Sequence, residues 1–236
     1  MDRSIAGLIA PFIEDGSILQ VGIGAVPDAI TQLIGDRRDL GVHSGMIGDG
    51  FVDLIEQGVI TNATHEGWKG VSVTGALIGS ERLYRLADRN PAILLASSGI
   101  THDEAILSRL PKLVSINSAI EVDVTGQVNA ETAGGAYLGG TGGQVDYVRG
   151  ASRAPGGRSI IALPSTAKAI SRVVAKLSGP VTTARSEVDI IVTEYGVAQL
   201  RGLSLGERAR AMIAIAHPDY REELAEQAHT LLTRGF

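Results

Sequence analysis

The segment 139–143 is rich in glycine, which occupies four of its five positions. A segment typical of a helix follows it. Backbone this rich in glycine can approach a ligand closely, with its N–H groups free to donate. A loop of this kind that leads into a helix start forms a cradle for an anion or an oxyanion. A plain turn needs only one or two glycines, so the density favours ligand contact.

A second glycine turn, residues 22–27, lies far upstream and also joins a strand-like segment to a helix-like one. Pro27 stands where a third glycine would complete a Gly-x-Gly-x-x-Gly pattern, which disfavours a dinucleotide site. Two such turns in one chain predict a site that holds a phosphate-rich or acyl ligand.

Several polar side chains near predicted strand ends could transfer protons or stabilise charge: His43, Asp49, His102, Asp103, Glu121 and Asp146. Imidazole titrates near neutral pH, so His43 and His102 are candidate bases toward water. Each of these residues could instead have a purely structural role. A histidine at a strand end is often only hydrogen-bonded, His102 and Asp103 could cap a helix, and Glu121 could face solvent.

The elements that must position these residues alternate along the chain. Strands are predicted at residues 17–21, 40–43, 71–74, 92–96, 113–117, 119–124, 159–163 and 190–193. Helices are predicted at residues 27–34, 50–56, 80–87, 102–110, 205–215 and 221–232. This alternation predicts an α/β fold with a mainly parallel open sheet and helices on both faces. With no linker in the sequence, residues 1–236 are predicted to form a single domain, with ligands beyond the carboxyl ends of the strands.

Composition excludes several functions. The 236 residues carry a net charge of −5 with no basic block, which argues against nucleic acid as a partner. There is no cysteine and no metal-ligand spacing, so neither disulfides nor a metal is expected. No apolar run is long enough to span a membrane and no signal peptide is seen, so a cytoplasmic protein without membrane association is predicted.

Ordered motifs along almost the whole chain carry a family resemblance. They are residues 22–28 (GIGAVPD), 39–44 (DLGVHS), 115–123 (SINSAIEVD), 126–128 (GQV), 142–146 (GGQVD), 192–196 (VTEYG), 200–202 (LRG) and 215–219 (IAHPD). Through them the chain resembles the C-terminal half of the acetyl-CoA hydrolase/transferase family, which includes 4-hydroxybutyrate, butyrate and acetate CoA-transferases. The family's N-terminal half has no counterpart here, so that half or a partner chain is expected to complete the protein, with a homodimer as the expected assembly.

The resemblance implies a covalent mechanism. A glutamate attacks acyl-CoA, an anhydride and then a glutamyl-CoA thioester form, and a small carboxylate takes over the CoA. It also implies that a backbone N–H of Gly142 or Gly143 stabilises the oxyanion, and that Glu194 lines the acyl pocket. The predicted catalytic residues are Glu194, His43 and Gly143. The residues predicted to contact acyl-CoA, the one expected cofactor-like ligand, are Gly22, Gly24, Pro27, Gly45, Thr101, Asn117, Gly140, Gly142 and Gly143.

One position departs from the family pattern. The resemblance places the glutamate nucleophile in a His-Ser-Glu-Met run, and this chain has His43-Ser44-Gly45-Met46. Glycine cannot form the thioester. The sequence therefore predicts an enzyme that transfers CoA from a short-chain acyl-CoA to a carboxylate or hydrolyses the thioester. The alternatives are a CoA-ester-binding domain and a non-catalytic partner subunit.

Overall fold

The structure is a computed structural model that describes residues 1–22 and 24–234. Its α-helices are α1 (Asp2–Ile9), α2 (Ala25–Leu33), α3 (Gly50–Glu56), α4 (Glu81–Ala87), α5 (Ser98–Thr101), α6 (Glu104–Leu107), α7 (Gln144–Arg153), α8 (Leu205–Ile215) and α9 (Arg221–Arg234). Its strands are β1 (Ile18–Val21), β2 (Gly41–Ser44), β3 (Ser72–Thr74), β4 (Ile93–Leu95), β5 (Leu113–Ser118), β6 (Glu121–Asp123), β7 (Val128–Asn129), β8 (Thr132–Ala133), β9 (Ala136–Tyr137), β10 (Arg158–Ala162), β11 (Thr166–Ala167), β12 (Ile170–Ser171), β13 (Val173–Val174), β14 (Ile190–Thr193) and β15 (Gly196–Gln199).

The central sheet has eight strands in the order β15-β14-β10-β5-β1-β2-β3-β4. Every neighbouring pair is parallel except β14 and β15, which pair antiparallel at one edge. The prediction of a mainly parallel α/β sheet is confirmed. Because the strands run the same way, the segments that follow β1, β2, β5, β10 and β14 meet at one edge of the sheet.

Alternating residues of the central strands pack into separate hydrophobic clusters. In β10, Ile160 and Ala162 pack with α1, α2 and α3, whereas Ile161 packs with α8 and α9. In β14, Ile190 and Val192 lie in the first cluster and Ile191 in the second. Successive side chains of a strand point to opposite faces, so helices cover both faces, as predicted.

The predicted helix over residues 102–110 is wrong in its extent. The chain forms two short helices there, α5 and α6, and the carboxylate of Asp103 accepts a hydrogen bond from the Ile106 N–H to cap the second. This break leaves His102 outside either helix, as the C-terminal cap of α5. The alternative that His102 and Asp103 cap a helix is therefore confirmed for Asp103.

The tight connection between α7 and β10 fixes the position of α7. Gly157 is buried, and a Cβ built on it would lie 2.2 Å from the Ala151 carbonyl oxygen. Backbone cannot give way cheaply, so Gly157→Ala should lower the free energy of unfolding by about 1–3 kcal/mol, measured by denaturant titration. Gly7 is an exposed position of α1, where a built Cβ meets no atom within 4 Å. Gly7→Ala should instead raise the free energy of unfolding by about 0.5–1 kcal/mol. Equal effects of the two variants would contradict this account.

Candidate functional site

A histidine lies between two glycine backbones at the carboxyl edge of the sheet. Gly45 directly follows β2, and Gly143 caps the N-terminus of α7. A Cβ on Gly45 would lie 2.9 Å from Nε2 of His102, and one on Gly143 would lie 2.2 Å from the same atom. Any larger residue at either position would displace the imidazole. The fold thus brings together three residues that are distant in sequence.

The other nitrogen of His102 is held by its neighbour. Oγ1 of Thr101, which is fully buried, lies 2.7 Å from Nδ1 of His102 and donates to the carbonyl of Ser97 at 3.3 Å. A hydroxyl has one proton. When that proton goes to Ser97, the Thr101 oxygen accepts from Nδ1–H, and Nε2 carries the free lone pair. This tautomer is assigned from the hydrogen-bond network.

Tyr147, one turn into α7, completes this cluster. Its ring centroid lies 4.8 Å from that of His102, and its hydroxyl lies 3.4 Å from a Cβ built on Gly45. The hydroxyl is buried next to the Thr101 side chain, without a hydrogen bond of normal geometry. Burial raises the pKa of Tyr147, an effect that nearby Thr101 partly offsets. The phenol therefore stays protonated at neutral pH and can donate.

The glycine-rich loop ends at the N-terminus of α7. Residues 139–142 are exposed, and Gly142 has a φ of +56°, a conformation that favours glycine. In the described part of the chain, no side chain caps the start of α7. The first backbone N–H groups of a helix have no partner within it, and the helix dipole makes this end positive. The end of α7 that abuts His102 can therefore stabilise an anion or oxyanion.

The upstream glycine turn lines a separate cavity of about 620 Å³ beside β1. Gly22, Gly24 and Pro27 all contribute to its wall, together with Asp49. Gly24 has a φ of +125° and precedes α2, whose first turn contains Pro27. The structure thus brings these three predicted residues together. The cavity wall does not include Gly45, His102 or Gly143.

The side-chain amide of Asn117 forms hydrogen bonds to neighbouring side chains. Its Nδ2 donates to Oε1 of Gln20 at 2.9 Å and to Oγ of Ser115 at 3.0 Å, while its Oδ1 accepts from Gln20 Nε2. An amide nitrogen has two protons, so both are used. This arrangement argues against the prediction that Asn117 donates to a thioester.

His43 lies in a buried cluster of rings with His65 and Trp68. Its Nδ1 lies 3.1 Å from Nε2 of His65, and its Nε2 lies 3.2 Å from the carbonyl of Ile100. Burial, together with the neighbouring His65, lowers the pKa of His43 to about 4. Both ring nitrogens are engaged, which favours the structural alternative over a role for His43 as a base.

This buried imidazole should make stability pH-dependent. Because the folded pKa of His43 is lowered from 6.5 to about 4, the unfolded chain binds the proton more tightly. Stability should therefore fall as pH drops from about 6.5 to 4, by about 2–3 kcal/mol. Urea unfolding of the wild type and of His43→Asn at pH 7.5 and pH 4.5 tests this. A pH-dependent loss of equal size in both proteins would contradict it.

Glu194 stands at the same edge of the sheet but far from His102. Four strand spacings separate β14 from β2 in the sheet order, which is about 19 Å. Its two carboxylate oxygens accept from the backbone N–H of Ser165 at 2.8 Å and from the Ser165 hydroxyl at 2.7 Å. Glu194 thereby holds the turn after β10, and its role in an acyl pocket stays a prediction.

The alternative that Glu121 faces solvent is wrong. The side chain is buried, and one carboxylate oxygen accepts from the backbone N–H of Ser178 at 2.7 Å and from Asn129 Nδ2 at 3.0 Å.

Sequence reasoning missed Tyr147, because an aromatic residue one turn into a helix carries no signal that separates a core position from a site.

Within residues 1–22 and 24–234, no group of three or more histidine, aspartate or glutamate side chains could hold a metal ion. Over the same residues, no helix is long and apolar enough to cross a membrane.

The fold defines the chain as an α/β protein with a mainly parallel sheet. A family model described as the acetyl-CoA hydrolase/transferase C-terminal domain matches residues 79–228. The 4-hydroxybutyrate coenzyme A transferase of Clostridium kluyveri is 43% identical over 96% of this chain and 54% of its own length. The chain belongs to the acetyl-CoA hydrolase/transferase family.

Solved structures agree with this assignment. RipA from Yersinia pestis matches with a TM-score of 0.91 and 40% identity over 98% of this chain and 52% of its own. The 4-hydroxybutyrate CoA-transferase of Porphyromonas gingivalis matches with a TM-score of 0.87 and 39% identity over 98% of this chain and 55% of its own. The chain spans about half the length of the relatives that it matches.

Proposed function

We propose that this chain forms the acyl-CoA site of an enzyme that moves CoA from a short-chain acyl-CoA to a small carboxylate or hydrolyses the thioester. The observation that carries the proposal is the uncapped N-terminus of α7, which follows the glycine loop and abuts His102. A thioester carbonyl becomes negatively charged as it is attacked, and helix N–H groups stabilise that charge.

The proposed ligand contacts fall into two groups. Gly140, Gly142 and Gly143 would hold the reacting carbonyl, with Gly45 and Thr101 beside it. Gly22, Gly24 and Pro27 would shape the neighbouring cavity, whose 620 Å³ is typical of a small-molecule site. Glu194 keeps its proposed place in the lining of the acyl pocket, on the strand-end segment after β14. CoA enters as the acyl-CoA substrate.

A second candidate function is a CoA-ester-binding or non-catalytic partner domain. The observation that favours it is Gly45, which offers no side chain where the family resemblance places the nucleophile. Such a domain would bind acyl-CoA in the same place and leave it intact.

Incubation with acetyl-CoA or butyryl-CoA distinguishes the two candidates. Free-thiol release is followed in one arm, and in the other the protein is treated with borohydride and its mass is measured. Thiol release, with or without a CoA-derived adduct, supports the enzyme. Saturable acyl-CoA binding with neither signal, also after addition of a relative's N-terminal region, would overturn the enzyme and support the binding domain.

We also propose that residues 1–236 act as one C-terminal-type unit that pairs with a region like the N-terminal half of its relatives. The chain's match to about half of each relative supports this pairing. So do Tyr137 and Leu138, which are 68% and 67% exposed just before the glycine loop. A homodimer is the proposed assembly, and light scattering would measure it.

A further inference from the structure

We propose that His102 is the general base of this site, so that the chain's own reaction is direct hydrolysis of the thioester by water. This inference rests on the proposed function and specifies its chemistry: water, rather than a protein carboxylate, is the nucleophile.

The position of His102 carries the proposal. Its Nε2 faces the backbone of both Gly45 and Gly143, and a Cβ on either glycine would fall within 3 Å of it. The imidazole therefore borders the place where the carboxyl end of β2 and the N-terminus of α7 converge. A base must lie within hydrogen-bond reach of the proton that it removes, so the proposal places the attacking water at Nε2, beside the backbones of Gly45 and Gly143.

Thr101 acts on the imidazole as a positioning residue. Its hydroxyl lies 2.7 Å from Nδ1 and donates to the carbonyl of Ser97. The proposal takes the tautomer with its proton on Nδ1, in which the lone pair is on Nε2. A base oriented by a third group is the recurring arrangement of enzymes that activate a hydroxyl or a water.

Two further features suit the charge that would develop. The uncapped backbone N–H groups at the start of α7 lie beside His102. The Tyr147 hydroxyl is buried and protonated, and it lies next to the Thr101 side chain without a hydrogen bond of normal geometry. Buried polar groups are normally satisfied, so an unpaired donor next to a candidate base indicates a position that a reacting oxygen would fill.

The reaction balances without another reactant. The oxygen of water attacks the thioester carbonyl carbon while Nε2 of His102 takes one water proton, and the carbonyl electron pair moves onto oxygen. The tetrahedral intermediate collapses, the C–S bond breaks, and the CoA thiolate takes the proton from Nε2. The products are a carboxylic acid and free CoA thiol, and His102 returns to its starting state.

Thiol release from acetyl-CoA by the full chain tests the proposal with matched variants. His102→Gln keeps the side-chain length but removes the base, and should lower kcat by about 100-fold or more with CoA affinity unchanged. His229→Gln, at an exposed position of α9, should keep wild-type activity. Thr101→Val should lower kcat by about tenfold. In that variant, ¹⁵N NMR of the neutral imidazole should show loss of the Nδ1–H tautomer that the wild type displays.

The outcomes separate the two claims. Turnover that survives in His102→Gln, or a wild-type imidazole with its proton on Nε2, would overturn the inference and leave the proposed function standing. A covalent CoA adduct on the wild-type protein would also overturn the inference, because it shows a protein nucleophile. A wild-type chain that gives neither thiol release nor an adduct, also after addition of a relative's N-terminal region, would overturn the proposed function, and this inference with it.

Discussion

Gly45→Glu should convert the site from hydrolysis to carboxylate-dependent CoA transfer. The new carboxylate would extend from the end of β2, the position at which the family resemblance places a glutamate nucleophile. Its Cβ would lie 2.9 Å from Nε2 of His102, so the imidazole must move and water activation should fall. Attack on butyryl-CoA would expel the CoA thiolate and form a mixed glutamyl-butyryl anhydride. The thiolate would then attack the glutamyl carbonyl, butyrate would leave, and glutamyl-CoA would form. Transfer to acetate should rise by on the order of 100-fold.

The measurement for this variant is CoA transfer between butyryl-CoA and acetate, with mass spectrometry of the borohydride-treated protein. On the peptide that contains residue 45, the adduct should appear as the alcohol to which borohydride reduces the glutamyl thioester. Gly45→Gln introduces a side chain of the same size without a nucleophile, and should lose hydrolysis without gaining transfer or adduct. A folded Gly45→Glu protein with neither transfer nor adduct would count against a family-like pocket at this edge.

Gly143→Ala should abolish most turnover while it leaves the fold intact. The alanine keeps the backbone N–H, but its Cβ would lie 2.1 Å from Cδ2 of His102. The imidazole is half-buried, so it can swing outward. A misplacement of about 1 Å can cost about 100-fold in rate, and kcat should fall by that order with CoA binding kept. Thiol release and a thermal melt of the same sample measure the two effects.

The control for this change is Gly206→Ala on α8, where the nearest atom to a built Cβ is a flexible arginine nitrogen at 3.8 Å. Activity should match the wild type there. If Gly143→Ala kept full activity, His102 would not need its observed position. If Gly143→Ala unfolded the protein, the main role of Gly143 would be to allow close packing.

These two variants follow from one steric fact. His102 in its present position and a side chain at residue 45 compete for the same space between β2 and α7. A protein carboxylate and this imidazole are therefore alternative reactive groups at one place. In the proposed mechanism, the glycine at position 45 leaves room for the imidazole of His102, so that water rather than a protein carboxylate is the nucleophile.

Much of the architecture follows from the sequence alone. The buried apolar run of β14 and the periodic pattern of α8 were predicted with the bounds that the structure gives, Ile190–Thr193 and Leu205–Ile215. Strong periodicity fixes such elements, because burial of an apolar face dominates local preference. The family was likewise predicted from motif order, and the mainly parallel sheet from the alternation of strands and helices.

The composition of the site was decided by tertiary structure. His43 and His102 looked equivalent as bases in the sequence, yet the first is buried with both nitrogens engaged and the second borders Gly45 and Gly143. Tyr147 was not predicted at all, and Glu194 lies about 19 Å along the edge by strand spacing. Sequence determines which elements form, through periodicity and turn chemistry. Which side chains meet depends on strand order, because residues far apart in the chain become neighbours only when their strands pair.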